Sequence, residues 1–326
     1  MNLSSLPRSS GGSPIQINEL CGHITGKEGS SGVLLLCHIG NLEGARCLID
    51  CCIFHRRRFP SIDLIIILSE DPAPAFEAMF RILKVKYEVI RREDLSREHL
   101  EFINENWLNS EFRSGFWAFT TERFFYLLDY FERSGIRQAV HIEYDVALFE
   151  PPNMLWANIA GKEVELALPM SNSWAVASVV MLNGLQGLRK LCRFFLSDKP
   201  PNDMVGLDRF FRSDAVTCLP LPTVPPKLLD VNSPLYGRLA RSYGDFGMIF
   251  DAAAIGQYFF GIDPLNSNDD TGENFINEDT SLPLQGSLLT WLDGHFGPSP
   301  IISFNDLSYR VANLHIHSKD FKRTLR

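Results

Sequence analysis

The sequence lacks a long apolar run, an excess of positive charge and a paired-cysteine framework. None of its hydrophobic stretches approaches the roughly 20 residues that cross a bilayer, and its start has no apolar core of the kind a signal peptide carries. The formal charge of -8 disfavours nucleic acid as a partner, because phosphate-binding surfaces are usually basic. The sequence therefore predicts a cytoplasmic protein without a transmembrane segment, and it leaves peripheral contact with a membrane open.

The seven cysteines follow neither a disulfide pattern nor a zinc pattern. Their number is odd, two of them are adjacent, and several lie within apolar stretches. The spacing of Cys47, Cys51 and Cys52 differs from the paired C-x-x-C units of zinc sites, so buried helical thiols are the favoured interpretation, although a histidine lies nearby at position 55. We expect reduced cysteines, as in an intracellular protein.

The chain is long enough for one large domain. It has 326 residues, of which 45% are hydrophobic and 21% are charged. Residues 1–30 are rich in serine, glycine and proline, which predicts a flexible tail. We expect residues 31–326 to form a single domain, with a first half at 31–150 and a second half at 151–326.

The first half alternates apolar strands with helices. Continuous apolar runs at 32–41 and 62–71, and a shorter stretch at 84–90, predict strands. Helices are predicted between them, and two further helices precede a strand that starts near Val140. This order predicts an α/β fold with a mostly parallel central sheet and right-handed crossovers. Ligands of such sheets bind beyond the carboxyl ends of the strands.

The second half is less regular. Strands are predicted at 164–170 and 174–184, and helices at 185–196 and 203–211. Residues 264–286 form a long polar stretch, which is typical of a lid, a binding loop or a disordered segment.

Residues 140–149, VHIEYDVALF, carry the most informative pattern. Strict alternation places His141, Glu143 and Asp145 on one face of a strand. Two carboxylates at a strand-end crevice suit Mg²⁺ or Mn²⁺, which proteins hold through one or two carboxylates, water and phosphate oxygens. The alternative interpretation is a half-exposed strand whose polar face meets water.

Cationic and imidazole side chains accompany this motif. Arg123, on the helix before the strand, can offer a planar fork to phosphate. His315, His317 and Lys319 alternate along a final predicted strand, so their side chains point the same way. Imidazole is a ligand for Mn²⁺, and lysine binds phosphate as a point charge. The alternative interpretations are a solvated arginine and the polar face of an edge strand.

Three aspartates are candidates for a general base. Asp203, Asp208 and Asp251 fall on elements that would cover the acceptor side of the crevice. Each is alternatively an N-cap or a surface residue. Taken together, the acidic and cationic groups suit the displacement of a nucleoside diphosphate, in which positive charge stabilises the charge developing on the leaving phosphate.

At this point the sequence resembles the metal-dependent GT-A glycosyltransferases. Residues 116–149, FWAFTTERFFYLLDYFERSGIRQAVHIEYDVALF, are similar to the arginine-bearing helix, turn and DxD-type strand of that family, with Glu143-Tyr144-Asp145 as the motif. The run VLLLCHIGN resembles its first nucleotide-binding strand. The runs WAVASVVMLNGLQGLRKL and LHIHSK resemble its acceptor-side strand with the following helix, and its C-terminal metal and diphosphate segment.

The resemblance implies a GT-A fold, a nucleoside-diphosphate sugar as donor and Mn²⁺ or Mg²⁺ as cofactor. It implies a hexosyltransferase-like enzyme whose acceptor is a glycan, a lipid-linked molecule or a protein. Asp145 is the implied principal metal ligand, Glu143 is a second ligand or a ribose contact, and His315 or His317 completes the metal site. The implied contacts to the nucleotide and its diphosphate are His38, Ile39, Gly40, Glu70, Arg123, Glu143 and Lys319, with orientation of the motif as the alternative role of Arg123. The sequence departs from the family at the first acidic position, where glutamate replaces aspartate.

Two other functions fit parts of the pattern. A nucleotidyltransferase that makes sugar nucleotides uses a similar sheet and metal, but it normally carries a glycine-rich basic loop after its first strand. Residues 38–46 contain one arginine and no glycine cluster. The non-enzymatic alternative is a binding or scaffold protein with a degenerate sheet, which would show no Mn²⁺-dependent binding of a nucleoside diphosphate.

Overall fold

The computed structural model describes the chain from Gly32 onward, with gaps. The predicted tail at 1–30 and most of the predicted polar loop lie outside the described residues. The described part belongs to one compact unit. Within it, every helix is too short or too polar to cross a bilayer. The described ranges are 32–43, 45–213, 217–263 and 279–324.

A seven-stranded sheet forms the centre of the described chain, with strand order β3-β2-β1-β4-β7-β6-β8. β11, β10 and β9 form a second sheet, and β12 pairs with β5. The strands are β1 (Val33–His38), β2 (Asp63–Leu68), β3 (Lys86–Val89), β4 (Gln138–Ile142), β5 (Val146–Leu148), β6 (Leu166–Pro169), β7 (Val179–Asn183), β8 (Cys218–Leu221), β9 (Leu288–Leu292), β10 (Ser299–Phe304), β11 (Leu307–Arg310) and β12 (Asn313–His315).

The central sheet is mostly parallel. β3, β2, β1 and β4 run in one direction, and β6 pairs in parallel with β8. β7 runs antiparallel to both β4 and β6 and joins these two groups. The predicted fold class, an α/β protein with a mostly parallel central sheet flanked by helices, is confirmed.

The helices connect and cover these strands. The side chain of Ser96 caps the start of α3, and Gly135 ends α4 in the left-handed conformation that favours glycine. The helices are α1 (Arg46–Arg58), α2 (Pro74–Ile82), α3 (Arg97–Glu105), α4 (Phe116–Ser134), α5 (Pro152–Asn158), α6 (Leu185–Asp198), α7 (Asp203–Arg212), α8 (Tyr236–Leu239), α9 (Tyr243–Phe246), α10 (Ile255–Phe260) and α11 (Phe321–Thr324).

The core lies between the central sheet and α1, α4 and α6. The apolar run of β2 is buried from Leu64 to Leu68, as expected for a strand covered on both faces. α4 is buried almost continuously from Thr121 to Phe131, which explains its high aromatic content. The three cysteines of α1 are buried in this core as well.

Three predicted strands differ from the structure. The stretch at 140–149 is interrupted, because β4 ends at Ile142 and a turn precedes β5. The stretch at 174–184 becomes a strand only at Val179, after an irregular segment. The final alternating stretch holds the end of β11, then β12, and turns after His315 before the short helix α11. Periodicity located these strands but not the turns inside them.

Candidate active site

The acidic motif occupies a tight turn between β4 and β5. The backbone N–H of Val146 donates to the carbonyl of Glu143 at 3.0 Å, which closes the turn. The N–H of Glu143 donates to the carbonyl of Ser178, which precedes β7. Glu143 and Asp145 therefore leave the strand geometry that the alternation predicted, and the turn directs both carboxylates toward the C-terminal segment.

β12 brings an imidazole beside this turn. β12 pairs antiparallel with β5, and its register places His315 opposite Val146. The N–H of Ile316 donates to the carbonyl of Asp145 at 2.7 Å, which extends the pairing by one bond. Residues that are far apart in sequence thus become neighbours through strand pairing.

Glu143, Asp145 and His315 converge on one point. The Nε2 atom of His315 lies 3.3 Å from Oε2 of Glu143 and 3.3 Å from Oδ1 of Asp145. One ligand atom from each of the three side chains lies within 4.8 Å of the others. Two carboxylate oxygens and one imidazole nitrogen form a donor set that fits Mn²⁺ or Mg²⁺ with coordination positions left for water or phosphate. Among the described residues, these three form the group of histidine, cysteine or acidic side chains whose ligand atoms lie close enough together to hold a metal ion.

The charges of this centre support one another. Burial opposes ionisation of Asp145, but Lys319 and His315 outweigh it and hold the pKa of this carboxyl well below its usual range. Burial likewise opposes ionisation of Glu143, and Arg123 and His315 lower its pKa. Burial disfavours the charged form of His315, whereas Asp145 and Glu143 raise its pKa. Both carboxylates are therefore ionised near neutral pH, as metal binding requires.

Lys319 and His317 lie beside the same centre but contact different residues. Lys319 has a positive φ of 59° after β12, and its ammonium group donates to the carboxylate of Asp145. The ring of His317 lies 4.1 Å from that of His315, and Nε2 of Gln257 lies 3.2 Å from its ring nitrogens. Burial and the neighbouring charge of His315 lower the pKa of His317 well below its usual value, so this ring is neutral. His317 lies outside the converging triad.

Arg123 joins the motif to a third carboxylate. From α4 its guanidinium donates to Oε1 of Glu143 and, at 2.6 Å, to Oδ2 of Asp203 on α7. Thr120, one turn earlier on α4, donates to Oδ1 of Asp203 at 3.1 Å. Arg123 is only 8% exposed. These contacts favour a role in orienting Glu143 over a direct phosphate contact.

The three general-base candidates lie in different surroundings. Asp203 contacts the centre through Arg123. Asp208 forms ion pairs with Arg212 and Arg238 and has no contact with the centre. Asp251 accepts hydrogen bonds from backbone N–H groups at the start of α10 and from the N–H of His315 at 2.9 Å. Its carboxylate therefore holds β12 against α10.

The end of β1 borders the same centre. The ring of His38 lies 5.9 Å from that of Tyr144, which separates the two acidic residues. Gly40 has a positive φ of 89°, and its N–H donates to Oγ of Ser69 at 2.8 Å. Ile39, between them, is half-buried, and Glu70 after β2 is exposed. Burial lowers the pKa of His38, and the hydrogen bond to the carbonyl of Asn41 and the charge of Glu70 act against this effect.

Three residues that support the centre were not predicted from the sequence to contact it. Thr120 binds Asp203, Gln257 contacts His317, and Sγ of Cys47 donates to the carbonyl of Tyr144 at 3.4 Å. Helical spacing alone could have indicated Thr120, because it lies three positions before Arg123 and shares its face. Gln257 and Cys47 are brought in by tertiary packing and had no sequence signal.

No protein-family model matches the chain, and no curated protein matches it. Solved structures similar to it include mouse xyloside xylosyltransferase 1, at 12% identity and a TM-score of 0.42, covering 60% of this chain and 87% of that chain. The galactosyltransferase LgtC in complex with donor and acceptor sugar analogues matches at 12% identity and a TM-score of 0.41, covering 63% and 82%.

The glycosyltransferase GlyE of Streptococcus pneumoniae matches at 11% identity and a TM-score of 0.36. The match covers 58% of this chain and 45% of that chain, so this chain spans less than half of its length. At these TM-scores, similarity by itself assigns no activity to the chain.

Proposed function

We propose that the protein is a metal-dependent glycosyltransferase that uses a nucleoside-diphosphate sugar. The observation that carries this proposal is the convergence of Glu143, Asp145 and His315 within 4.8 Å, beside the ammonium group of Lys319. Two carboxylates, one imidazole and one lysine suit a divalent cation bridged to a diphosphate. The similar proteins described above include a xylosyltransferase and a galactosyltransferase, and their activities agree with the proposal.

The protein's residues divide the work of such a transfer. A divalent cation bound at this centre would supply positive charge to the leaving diphosphate. Glu143, Asp145 and His315 would hold the cation, and Arg123 fixes the orientation of Glu143 through their mutual ion pair. We expect Lys319 to exchange its contact with Asp145 for a phosphate oxygen. We expect His38 and Gly40, at the end of β1, to contact the nucleotide. Asp203 lies on the far side of Arg123.

The first experiment tests metal and nucleotide binding together. The protein is heated with UDP, GDP, CDP or dTDP, with and without Mn²⁺. We expect one of the four nucleotides to raise the melting temperature, and to do so only when Mn²⁺ is present. A ligand at about 100 times its dissociation constant stabilises the native state by about 2.7 kcal/mol, which is large enough to measure. Absence of a Mn²⁺-dependent shift with all four would contradict the proposal. Pyrophosphate release from a sugar phosphate and a nucleoside triphosphate would identify a nucleotidyltransferase instead.

The Asp145→Asn substitution tests the central carboxylate. Asparagine keeps the shape of the side chain but removes the charge that binds the cation and pairs with Lys319. We expect the Mn²⁺-dependent stabilisation and sugar transfer to be lost. Asp306→Asn is the matched control, because Asp306 is exposed in the turn between β10 and β11. Transfer at the wild-type rate by the Asp145→Asn variant would contradict the assignment.

The two histidines of the C-terminal segment are expected to differ. His315 lies 3.3 Å from both carboxylates, whereas His317 contacts His315 and Gln257. We expect His315→Gln to weaken Mn²⁺ binding by at least about tenfold, within the range seen when groups around a metal are replaced. His317→Gln is expected to change it less. Titration of each variant with Mn²⁺ measures this, and equal losses would show that His315 is not the main imidazole ligand.

A further inference from the structure

A second cleft lies at the C-terminal end of α1, away from the acidic turn. It encloses about 500 Å³ and is bordered by α1, by Phe149 after β5, by the β9–β10 turn and by α11. Small-molecule sites typically have about 300–1,000 Å³ and walls that are mainly apolar and aromatic. Phe149 follows Asp145 by four residues, so β5 separates the cleft from the metal centre by about 13 Å.

Aromatic rings form the apolar wall of this cleft. The rings of Phe149 and Trp291 meet edge to face at 5.7 Å, and Phe54 contacts Phe149 at 5.6 Å and Phe321 at 6.3 Å. Phe149 and Phe321 are buried, whereas Trp291 keeps 42% of its surface exposed. The cleft thus offers a continuous apolar surface that ends in an accessible indole.

Hydrogen bonds from Arg58 fix the walls of the cleft in place. Its guanidinium lies 4.8 Å from the centroid of Phe149 and donates to the carbonyls of Phe149 and Pro298 and to Oγ of Ser299. These bonds tie α1 to the β9–β10 turn. All of these acceptors are neutral. Burial lowers the pKa of Arg58 to about 10, and the carboxylate of Glu150, which is paired with Arg310, acts against this effect, so Arg58 stays charged beneath the aromatic wall.

The rim of the cleft is also cationic. Arg57, at the end of α1, and Lys322, on α11, are exposed and line the cleft from opposite segments. Neither forms an ion pair within the described part of the chain. The described lining thus contains three cations, Arg57, Arg58 and Lys322, and one carboxylate, Asp50. Asp50 lies two helical turns, or about 10 Å, from Arg57 along α1. In a chain with a formal charge of -8, this positive lining is complementary to an anion.

We propose that this cleft binds an amphiphilic anion, a ligand with an apolar chain and one phosphate head. The chain lies on Phe54, Phe149 and Trp291, and the phosphate lies between Arg57 and Lys322. Charge-assisted hydrogen bonds from both cations hold the head, and burial of the chain against the rings supplies most of the remaining affinity. The site is separate from the metal centre and does not depend on the proposed transfer activity.

Decyl phosphate, kept below the concentration at which it forms micelles, is the probe for this site. Calorimetric titration of the full chain is expected to show saturable binding of one molecule. Decanol, which has the chain without the head, and inorganic phosphate, which has the head without the chain, are each expected to bind at least about tenfold more weakly, because each lacks one set of contacts. Equal binding of decanol and decyl phosphate would overturn the anionic assignment.

Paired substitutions locate the bound head. Arg57→Gln combined with Lys322→Gln is expected to weaken decyl phosphate binding by at least about tenfold, since both charge-assisted contacts are removed. Lys227→Gln combined with Arg241→Gln removes the same charge from positions outside the cleft lining and is expected to leave binding unchanged. Equal weakening by the two pairs would indicate a general effect of net charge and would overturn the proposal.

Two further measurements distinguish this cleft from the metal centre and from a membrane-docking surface. Asp145→Asn is expected to bind decyl phosphate like the wild type, and a loss there would place the ligand at the metal centre and overturn the proposal. The second measurement is binding of the protein to vesicles of anionic or of zwitterionic lipid. Binding to anionic vesicles without binding of monomeric decyl phosphate would identify a membrane-docking surface and would also overturn the proposal.

Discussion

At the residue scale, Arg123 is the side chain on which the acidic centre depends most. It is the cation that faces both Glu143 and Asp203, and all three side chains are largely removed from water. Burial disfavours the charged form of Arg123, but the two carboxylates raise its pKa, so it stays protonated. Asp203 shows the opposite balance, since burial raises its pKa although Arg123 and Thr120 act against it.

Replacement of Arg123 by methionine is expected to be costly. The variant keeps the apolar stem but leaves two buried carboxylates without their cation, which typically costs about 3–5 kcal/mol. Urea unfolding measures the free energy of unfolding. Arg133→Met on the same helix is the control, because Arg133 is 40% exposed in its ion pairs with Glu88 and Asp94 and should contribute about 0–1 kcal/mol. Similar losses in both variants would show that Arg123 is not a buried bridge.

At the element scale, the position of β12 relative to α10 determines where His315 lies. Asp251 accepts hydrogen bonds from the first turn of α10 and from the N–H of His315, so one carboxylate holds both elements. Gly256, in that first turn, lies so close to the carbonyl of His315 that a Cβ atom would overlap it. The absence of a side chain at position 256 therefore allows the close approach of helix and strand.

The Gly256→Ala substitution tests this contact. The added methyl group must displace α10 from β12, and we expect a loss of about 1–3 kcal/mol in stability together with weaker Mn²⁺ binding through His315. Gly237→Ala is the matched control, because it also lies in a short helix and its new Cβ would meet no atom within 4 Å. That variant is expected to keep its stability or gain up to about 1 kcal/mol. Unchanged stability and metal binding in Gly256→Ala would refute the close approach.

At the scale of the whole molecule, neutral histidines in the interior link folding to pH. Nδ1 of His55 donates to the carbonyl of Cys51 at 2.8 Å, and its Nε2 accepts from the N–H of Leu148 at 3.0 Å. His141 is buried in β4 with one ring nitrogen bound to the carbonyl of Leu35. Burial lowers the pKa of both histidines to about 3. Each therefore stays neutral in the native state while the unfolded chain takes up protons below about pH 6.5.

The free energy of unfolding is therefore expected to fall as the pH decreases from about 6.5 toward about 3. A histidine with a lowered native pKa contributes stability that is fully present above its unfolded pKa and is lost on acidification, by up to about 1.4 kcal/mol per pH unit. Urea unfolding of the wild type and of His55→Gln at several pH values measures this contribution. The free energy of unfolding of the wild type minus that of His55→Gln should be constant above about pH 6.5 and should decrease below it.

His295→Gln provides the control for this profile, because His295 is exposed after β9. If the differences of His55→Gln and His295→Gln from the wild type varied with pH in the same way, burial of His55 would not contribute to acid unfolding.

Local patterns in the sequence determined where most helices and strands lie and which types of residue are available to the site. The apolar run of β2, the aromatic face of α4 and its end at Gly135 were predictable, because burial and helix termination depend on neighbouring residues. The same patterns predicted the α/β class. They also identified Glu143, Asp145 and His315 as chemically suitable groups, since alternation and residue type are visible in a single segment.

Only the tertiary structure decided how these groups meet. The turn at Glu143 and Asp145 and the pairing of β12 with β5 bring His315 to the carboxylates, and the ion pair of Arg123 with Asp203 joins residues 80 positions apart. Such contacts depend on strand register and helix packing, which no short-range periodicity encodes. Asp251 was a candidate base by residue type, but in the structure its carboxylate holds β12 on α10. The sequence could not indicate this role, because the backbone N–H groups that donate to Asp251 come together only in the folded chain.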